Sequence, residues 1–183
     1  MTRKTLPLSL ENILLGFIAE QPTHGYDLYK KMTGMGGIAL IWHVKQSQLY
    51  ALLEKLETRG LLSSTLLPGE SYLLRKEFAL TSSGLQQYTT WVSSPVEHGR
   101  DMRQEFLAKL FFAQKGDPRV FGGLLLKQRQ SCLRWLDNLE RKFNAIDESQ
   151  IYERMILQYR ITQTRAMIDW LETYSPQTIQ PAD

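Results

Sequence analysis

The hydrophobic period of this chain changes in one order, and that order limits the folds open to it. Leu10, Ile13, Leu14, Phe17 and Ile18 recur at helical spacing, as the inward face of an amphipathic helix requires. Ser9 stands at the N-cap position, and Gln21-Pro22 ends the segment because proline cannot continue a helix. Thr23 is expected to cap a second helix, HGYDLYKKM, with Leu28, Tyr29 and Met32 inward, and TGMGG (33–37) closes it. An apolar connector from Ile38 to Trp42 leads to a third helix with Leu49, Leu52, Leu53 and Leu56 on one face. It runs to about Arg59, and Gly60 suits the left-handed residue that follows a helix. The period then changes, with two short β-compatible runs around Pro68-Gly69, which is hairpin material. Thr81 caps a fourth helix carrying Leu85, Tyr88, Trp91 and Val92.

Three helices followed by a hairpin make the order of a winged helix-turn-helix, expected over residues 1–94. After Ser93-Ser94-Pro95 the pattern is helix only. One helix is expected from Asp101 to Gln114. Gly116-Asp117-Pro118 breaks the chain, and Pro118 suits a first helical position. A long helix from Val120 to Asn144 carries Phe121, Leu125, Cys132, Leu136, Leu139 and Phe143. A last helix, from about Glu148 to Tyr174, shows a stripe of Tyr152, Ile156, Tyr159, Gln163, Met167, Trp170 and Tyr174. The two long helices read as an antiparallel pair, and residues 95–183 as a helical dimerisation domain. The fold class is therefore mainly α with a small β-hairpin. Candidate dimer contacts are Phe121, Leu125, Trp135, Ile156, Tyr159, Met167 and Trp170. The aromatic stripe is read as helix packing or dimer core; a pocket for a small aromatic effector is the competing use. Residues Ser175 to Asp183 are polar, hold two prolines and are expected to fray.

Charge narrows the function without deciding it. The net charge of the 183 residues is +3, divided as +2 over residues 1–85 and +1 over the rest. Any basic face must come from placement rather than bulk excess. The single cysteine, Cys132, excludes an internal disulfide and a cysteine-based metal site. Glu11 and Asn12 interrupt the amino-terminal apolar run, with no cleavage pattern after it. No stretch reaches the roughly 18 apolar residues of a membrane span. The expectation is a cytoplasmic protein with no membrane partner. GMGGIA (34–39) formally matches a dinucleotide fingerprint, but it follows a helix and leads into an apolar connector. His24, His43 and His98 lack metal-ligand spacing, and no nucleophile elbow occurs. No catalytic residue, metal or cofactor is expected.

What remains is the start of the third helix. HVKQSQLYALLEK places Lys45, Gln46, Ser47, Gln48 and Tyr50 beside the leucine face. Glutamine can form two hydrogen bonds with adenine, and lysine can reach guanine O6 or N7. In a helix-turn-helix, base-reading residues sit at the amino end of the second helix of the motif. A solvated first turn capped by Ser47 is the plain alternative. Lys30 and Lys31 are either a solvated face or a phosphate clamp.

The chain resembles the PadR family of bacterial transcriptional regulators. HGYDLYKKM is similar to that family's second helix, and SQLYALLEKLETRGLL (47–62) to its recognition helix. RKEFALTSSG (75–84) resembles the end of its wing. RQEFLAKLFFA (103–113) resembles the start of the C-terminal helical domain of longer members, including AphA-like virulence activators. The resemblance covers about residues 8–175 and implies a dimeric winged-helix DNA-binding regulator. It places His24, Gly25 and Tyr26 at the start of the second helix, Ser47 and Tyr50 on the recognition helix, and Arg75 and Lys76 in the basic wing. Glu70 to Leu74 departs from a family pattern richer in glycine, proline and basic residues, which points Arg75 and Lys76 to phosphates. The combined reading is a repressor that binds an inverted-repeat double-stranded DNA operator as a homodimer and responds to an effector. Its recognition helices would enter successive major grooves roughly 34–36 Å apart. The competing reading is a helical protein-interaction adaptor that retains a winged-helix core; only a DNA binder would show steep salt dependence on random duplex.

Overall fold

A computed structural model describes residues 9–35, 37–68 and 74–174. The hairpin tip with Glu70 to Leu73, and the polar tail expected to fray, lie outside the described residues. Seven α-helices and three short strands are present among those described: α1 Ser9–Glu20, β1 Thr23–His24, α2 Gly25–Thr33, α3 Gln46–Thr58, β2 Leu62–Pro68, β3 Leu74–Leu80, α4 Ser82–Ser93, α5 Glu105–Ala113, α6 Pro118–Ala145 and α7 Ile151–Thr173. Two 3-10 turns, Gly37–Leu40 and Gly99–Arg103, connect α2 to α3 and α4 to α5.

The strands pair antiparallel in the order β1-β3-β2. Ser64 stands opposite Phe78 and Leu67 opposite Arg75. Thr23, expected to cap α2, instead pairs with Phe78 across the sheet, and His24 takes the cap position without a side-chain cap bond. A two-residue strand is too short to show a period, and its pairing partner lies far along the chain. Ile13, Leu14, Leu28, Met32, Leu49, Leu53 and Leu56 of α1–α3 are fully buried. The leucine face of α3 therefore packs inward as its spacing predicts.

The end of α3, the hairpin and α4 are fastened together at one corner. Gly60 has φ +69°, the left-handed conformation that glycine adopts without a Cβ clash. The Thr81 hydroxyl donates to the Gly60 carbonyl at 2.7 Å and accepts from the Gly84 N–H at 3.1 Å. Thr81 thus caps α4 as its sequence position indicates. A Cβ on Gly84 would overlap the Leu61 carbonyl, so this close approach needs glycine.

Past α4 the chain keeps one apolar core. A single cluster runs from Leu10, Leu28 and Leu53 through Trp91 and Phe106 to Leu124, Ile168 and Leu171. The stretch expected to open α5 at Asp101 is a 3-10 turn, and α5 begins at Glu105. Asp117 caps α6 by accepting from the Arg119 N–H at 2.8 Å, with Pro118 in the first turn. The helix pair α6–α7 carries a second cluster of Leu139, Leu157 and Ile161 farther out.

The row of α7 that packs inside the protomer lies beside the stripe that the sequence offers as helix packing or dimer core. The residues buried against the protomer are Leu157, Ile161, Thr164, Ile168 and Leu171. The aromatic stripe lies to one side: Tyr152 is 71% exposed, Tyr159 64% and Tyr174 47%. Both rows are apolar at helical spacing, so period alone could not say which one faces the chain's own core.

Candidate nucleic-acid interface

The site begins with a helix end that is polar outside and leucine inside. Lys45, Gln46, Ser47 and Gln48 are all exposed, while Leu49, Leu52, Leu53 and Leu56 are buried beneath them. Lys45 is the N-cap residue, displacing Ser47 from that role, and it makes no side-chain cap bond; no acid lies in the first turn. First-turn amide N–H groups have no partner within a helix, and the dipole favours an anion there. This end of α3 thus offers amide donors, one cation and two amide side chains to whatever approaches.

Tyr50, one turn on, leans against α2. It is 38% exposed. A Cβ on Gly25 would lie 2.7 Å from its ring, so glycine at that position sets the spacing of α2 and α3. His24, Tyr26, Tyr50, Arg75 and Lys76 line one cleft of about 310 Å³. The topology therefore brings together candidates from three separate sequence motifs. Asp27 and Glu54 also line it, so the cleft is of mixed charge. The Lys30 ammonium sits 4.4 Å from the centre of the Tyr26 ring, a cation–π contact that leaves it at the surface. Lys31 is half-buried on the same helix.

The two basic wing residues differ in environment. Arg75 is exposed, and no ion pair engages it among the described residues. Lys76 is paired with Glu57 of α3 at 2.6 Å, and its ammonium is 5.3 Å from the Phe78 ring centre. Glu57 also accepts from the Ser64 hydroxyl of β2. The bonds from Lys76 and Ser64 hold the Glu57 carboxyl below the usual glutamate range. His24 adds a side-chain contact, with Nδ1 3.2 Å from the Lys76 carbonyl.

Residues that position α3 escaped the sequence reading. Glu11 is 1% exposed on α1, and its carboxylate meets Lys55 at 2.8 Å and Arg59 at 2.6 Å. Two cations near the carboxyl end of α3 suit the helix dipole there and tie that end to α1. In the sequence Glu11 only interrupts an apolar run; its two partners are more than forty residues away.

The candidate dimer residues fall into two sets. Leu125 is buried in the protomer core, and Phe121, Trp135 and Met167 pack against it. Ile156, Tyr159 and Trp170 are more open, at 41%, 64% and 36% exposure. Ile151, Tyr152 and Met155 extend that exposed row along α7. No helix among the described residues is long and apolar enough to cross a membrane, and no cluster of three or more His, Cys, Asp or Glu residues there could hold a metal ion.

Comparison with known proteins places two family models on the chain. The transcriptional regulator PadR-like family matches residues 14–90, and the virulence activator alpha C-terminal family matches residues 102–176. A negative transcriptional regulator, PadR, of Bacillus subtilis is 24% identical over 176 residues, covering 90% of this chain and 94% of that protein. A probable transcriptional regulator of Mycobacterium tuberculosis is 22% identical over 181 residues, covering 90% of this chain and 95% of the relative. The crystal structure of Bacillus subtilis PadR in complex with operator DNA superposes with a TM-score of 0.47 at 21% identity, over 90% of this chain and 94% of that one.

Proposed function

We propose that this chain, which belongs to the transcriptional regulator PadR-like family, is a sequence-specific DNA-binding repressor that acts as a homodimer on an inverted repeat. Residues 1–94 are the DNA-binding part and residues 95–183 the dimerisation part. The observation that carries the reading is the amino end of α3: four exposed polar side chains over a buried leucine face, with no acid in the first turn. Gln46 and Gln48 read base edges, Lys45 and Ser47 reach base or backbone, and Tyr50 and Tyr26 brace the approach. Lys30, Lys31 and Arg75 meet phosphates; Lys76 contributes less, because Glu57 already neutralises it.

A second copy of the chain covers the exposed row on α7. Monomeric proteins rarely expose large continuous apolar patches, and this row is continuous from Ile151 to Ile156. The partner places a second α3 in the next major groove. An effector with an aromatic ring shifts the balance between spacings of the two recognition helices. The protein works in the cytoplasm and catalyses no reaction. Selection of bound sequences from a random duplex pool tests this reading. The expected product is an inverted repeat with half-sites about 10 bp apart, centre to centre. A pool that stays random after repeated selection, with binding insensitive to salt, would instead identify an adaptor.

A further inference from the structure

We infer that the cleft between the 3-10 turn at Gly99–Arg103 and the α6–α7 pair is a binding site for an aromatic polyanion of the nucleotide class. The inference deepens the effector part of the reading above and is independent of DNA recognition. The cleft encloses about 780 Å³, enough for a molecule of that size. Arg100, Arg103, Arg134, Lys142 and Arg160 all line it, with Glu97 the one carboxylate among the lining residues.

Three arginines elsewhere on α6 and α7 have carboxylate partners, Arg129 with Glu172, Arg141 with Asp137 and Arg165 with Glu140, each within 2.8 Å, while Lys127 and Arg154 donate to backbone carbonyls. In the cleft, no ion pair engages Arg103, Arg134, Lys142 or Arg160 among the described residues. Arg134 donates only to the Ser131 hydroxyl, and Arg100 lies 3.6 Å from its neighbour Asp101. Gathering like charges in a recess costs electrostatic free energy that one carboxylate offsets only in part. A monoanion would offset one more unit; a chain of phosphates would offset most of the remainder. Arginine forks suit phosphate oxygens because they can bond in a bidentate way.

The same cleft has a flat apolar wall. Trp135 of α6 and Tyr159 of α7 line it, and Gln163 donates to the Tyr159 hydroxyl at 2.7 Å, which fixes that ring. Arginine and aromatic surfaces side by side fit a base joined to phosphates. The location also suits regulation. Arg100 and Arg103 sit on a turn whose Met102 is buried in the main core. The turn continues back to Val96, whose N–H donates to the buried Gln128 at 2.8 Å, directly after α4. An anion that draws Arg100 and Arg103 toward α6–α7 therefore acts on the joint that carries the DNA-binding helices.

The test uses the full-length protein without DNA. Isothermal titration in magnesium-free buffer compares ATP, adenosine and inorganic tripolyphosphate as probes. ATP is expected to saturate, with adenosine and tripolyphosphate each at least about tenfold weaker, since each keeps half of the recognition. The pair Arg103→Ala/Arg160→Ala, and separately Tyr159→Ala, should each weaken ATP at least about tenfold with the thermal melt unchanged. Light scattering of the arginine variant should match the wild type. No heat with ATP up to about 5 mM would overturn the proposal. So would tripolyphosphate binding as tightly as ATP, which would leave the aromatic wall without a role. Dissociation of the arginine variant with ATP affinity unchanged would overturn it too, because those cations would then serve the partner subunit.

Discussion

Glu57 is one side chain facing three elements: it leaves α3, accepts from Ser64 of β2 and pairs with Lys76 of β3. It fixes the angle between recognition helix and wing, and it does so as a carboxylate. Because its pKa is lowered in the folded protein, its contribution is present above the ordinary glutamate value of 4.5 and is lost as pH falls through the lower folded value. Acid melts should therefore separate wild type from Glu57→Gln: the wild type loses stability more steeply on acidification, and the variant's curve is flatter. Parallel curves would mean that the pair is solvated and idle. None of this was legible in the sequence, where Glu57 is one of many charges on a helix. The exposed start of α3 was legible, because leucines at 49, 52, 53 and 56 fix which way residues 45–48 must point. The positioning pairs of Glu11 and Glu57 were not, since ion pairs across elements carry no local pattern.

Elements show where periodicity is sufficient and where it fails. The leucine row of α3 was readable because one face is apolar and the other polar, and the hairpin because short β-compatible runs flank Pro68-Gly69. On α7 two neighbouring rows are apolar, and the aromatic one drew the reading although Leu157, Ile161, Ile168 and Leu171 make the internal contact. The two-residue β1 gave no signal, and Thr23 read as a cap. In the wing, β3 presents Arg75 and Lys76 in succession, and both line the cleft beside Tyr50, but only Lys76 is paired with Glu57. Removal of Arg75 should flatten the log–log salt dependence of DNA binding by about one unit, and removal of Lys76 by distinctly less. Filter binding from low to moderate salt would measure both slopes. Equal losses would mean that Lys76 leaves Glu57 when DNA arrives; no loss from Arg75→Ala would put that side chain in solvent.

For the whole molecule, the main consequence is a stiff joint between DNA-binding helices and the α6–α7 pair. Lys109 is 3% exposed and donates to the Ser94 carbonyl at 2.9 Å, while Lys127 donates to the Ser93 carbonyl at 3.1 Å. With Gln128 on Val96, three side chains hold residues 93–96. Burial pushes the Lys109 ammonium pKa down, and Glu105 at 3.4 Å opposes that shift. On the proposed reading, a joint held this way would transmit the spacing set by a dimer contact to the recognition helices. Since Ile168 and Leu171 belong to the main core, shortening α7 would uncover Phe106 and confound the test. Ile156→Glu places a charge on the exposed row instead. It is expected to give a folded monomer by light scattering with an unchanged melt, and to lose affinity for two half-sites far more than for one, because the tether is gone. A dimer that survives the substitution would move the interface elsewhere. The central claim, that the amino end of α3 reads DNA, meets its most direct test in a ratio. Affinity for the selected operator is divided by affinity for the same duplex with one half-site base pair exchanged, for wild type and for Gln46→Ala and Gln48→Ala. At least one variant should lose about 1–3 kcal/mol of that discrimination while its melt stays that of the wild type; wild-type ratios in both variants, at every exchanged position, would contradict the assignment.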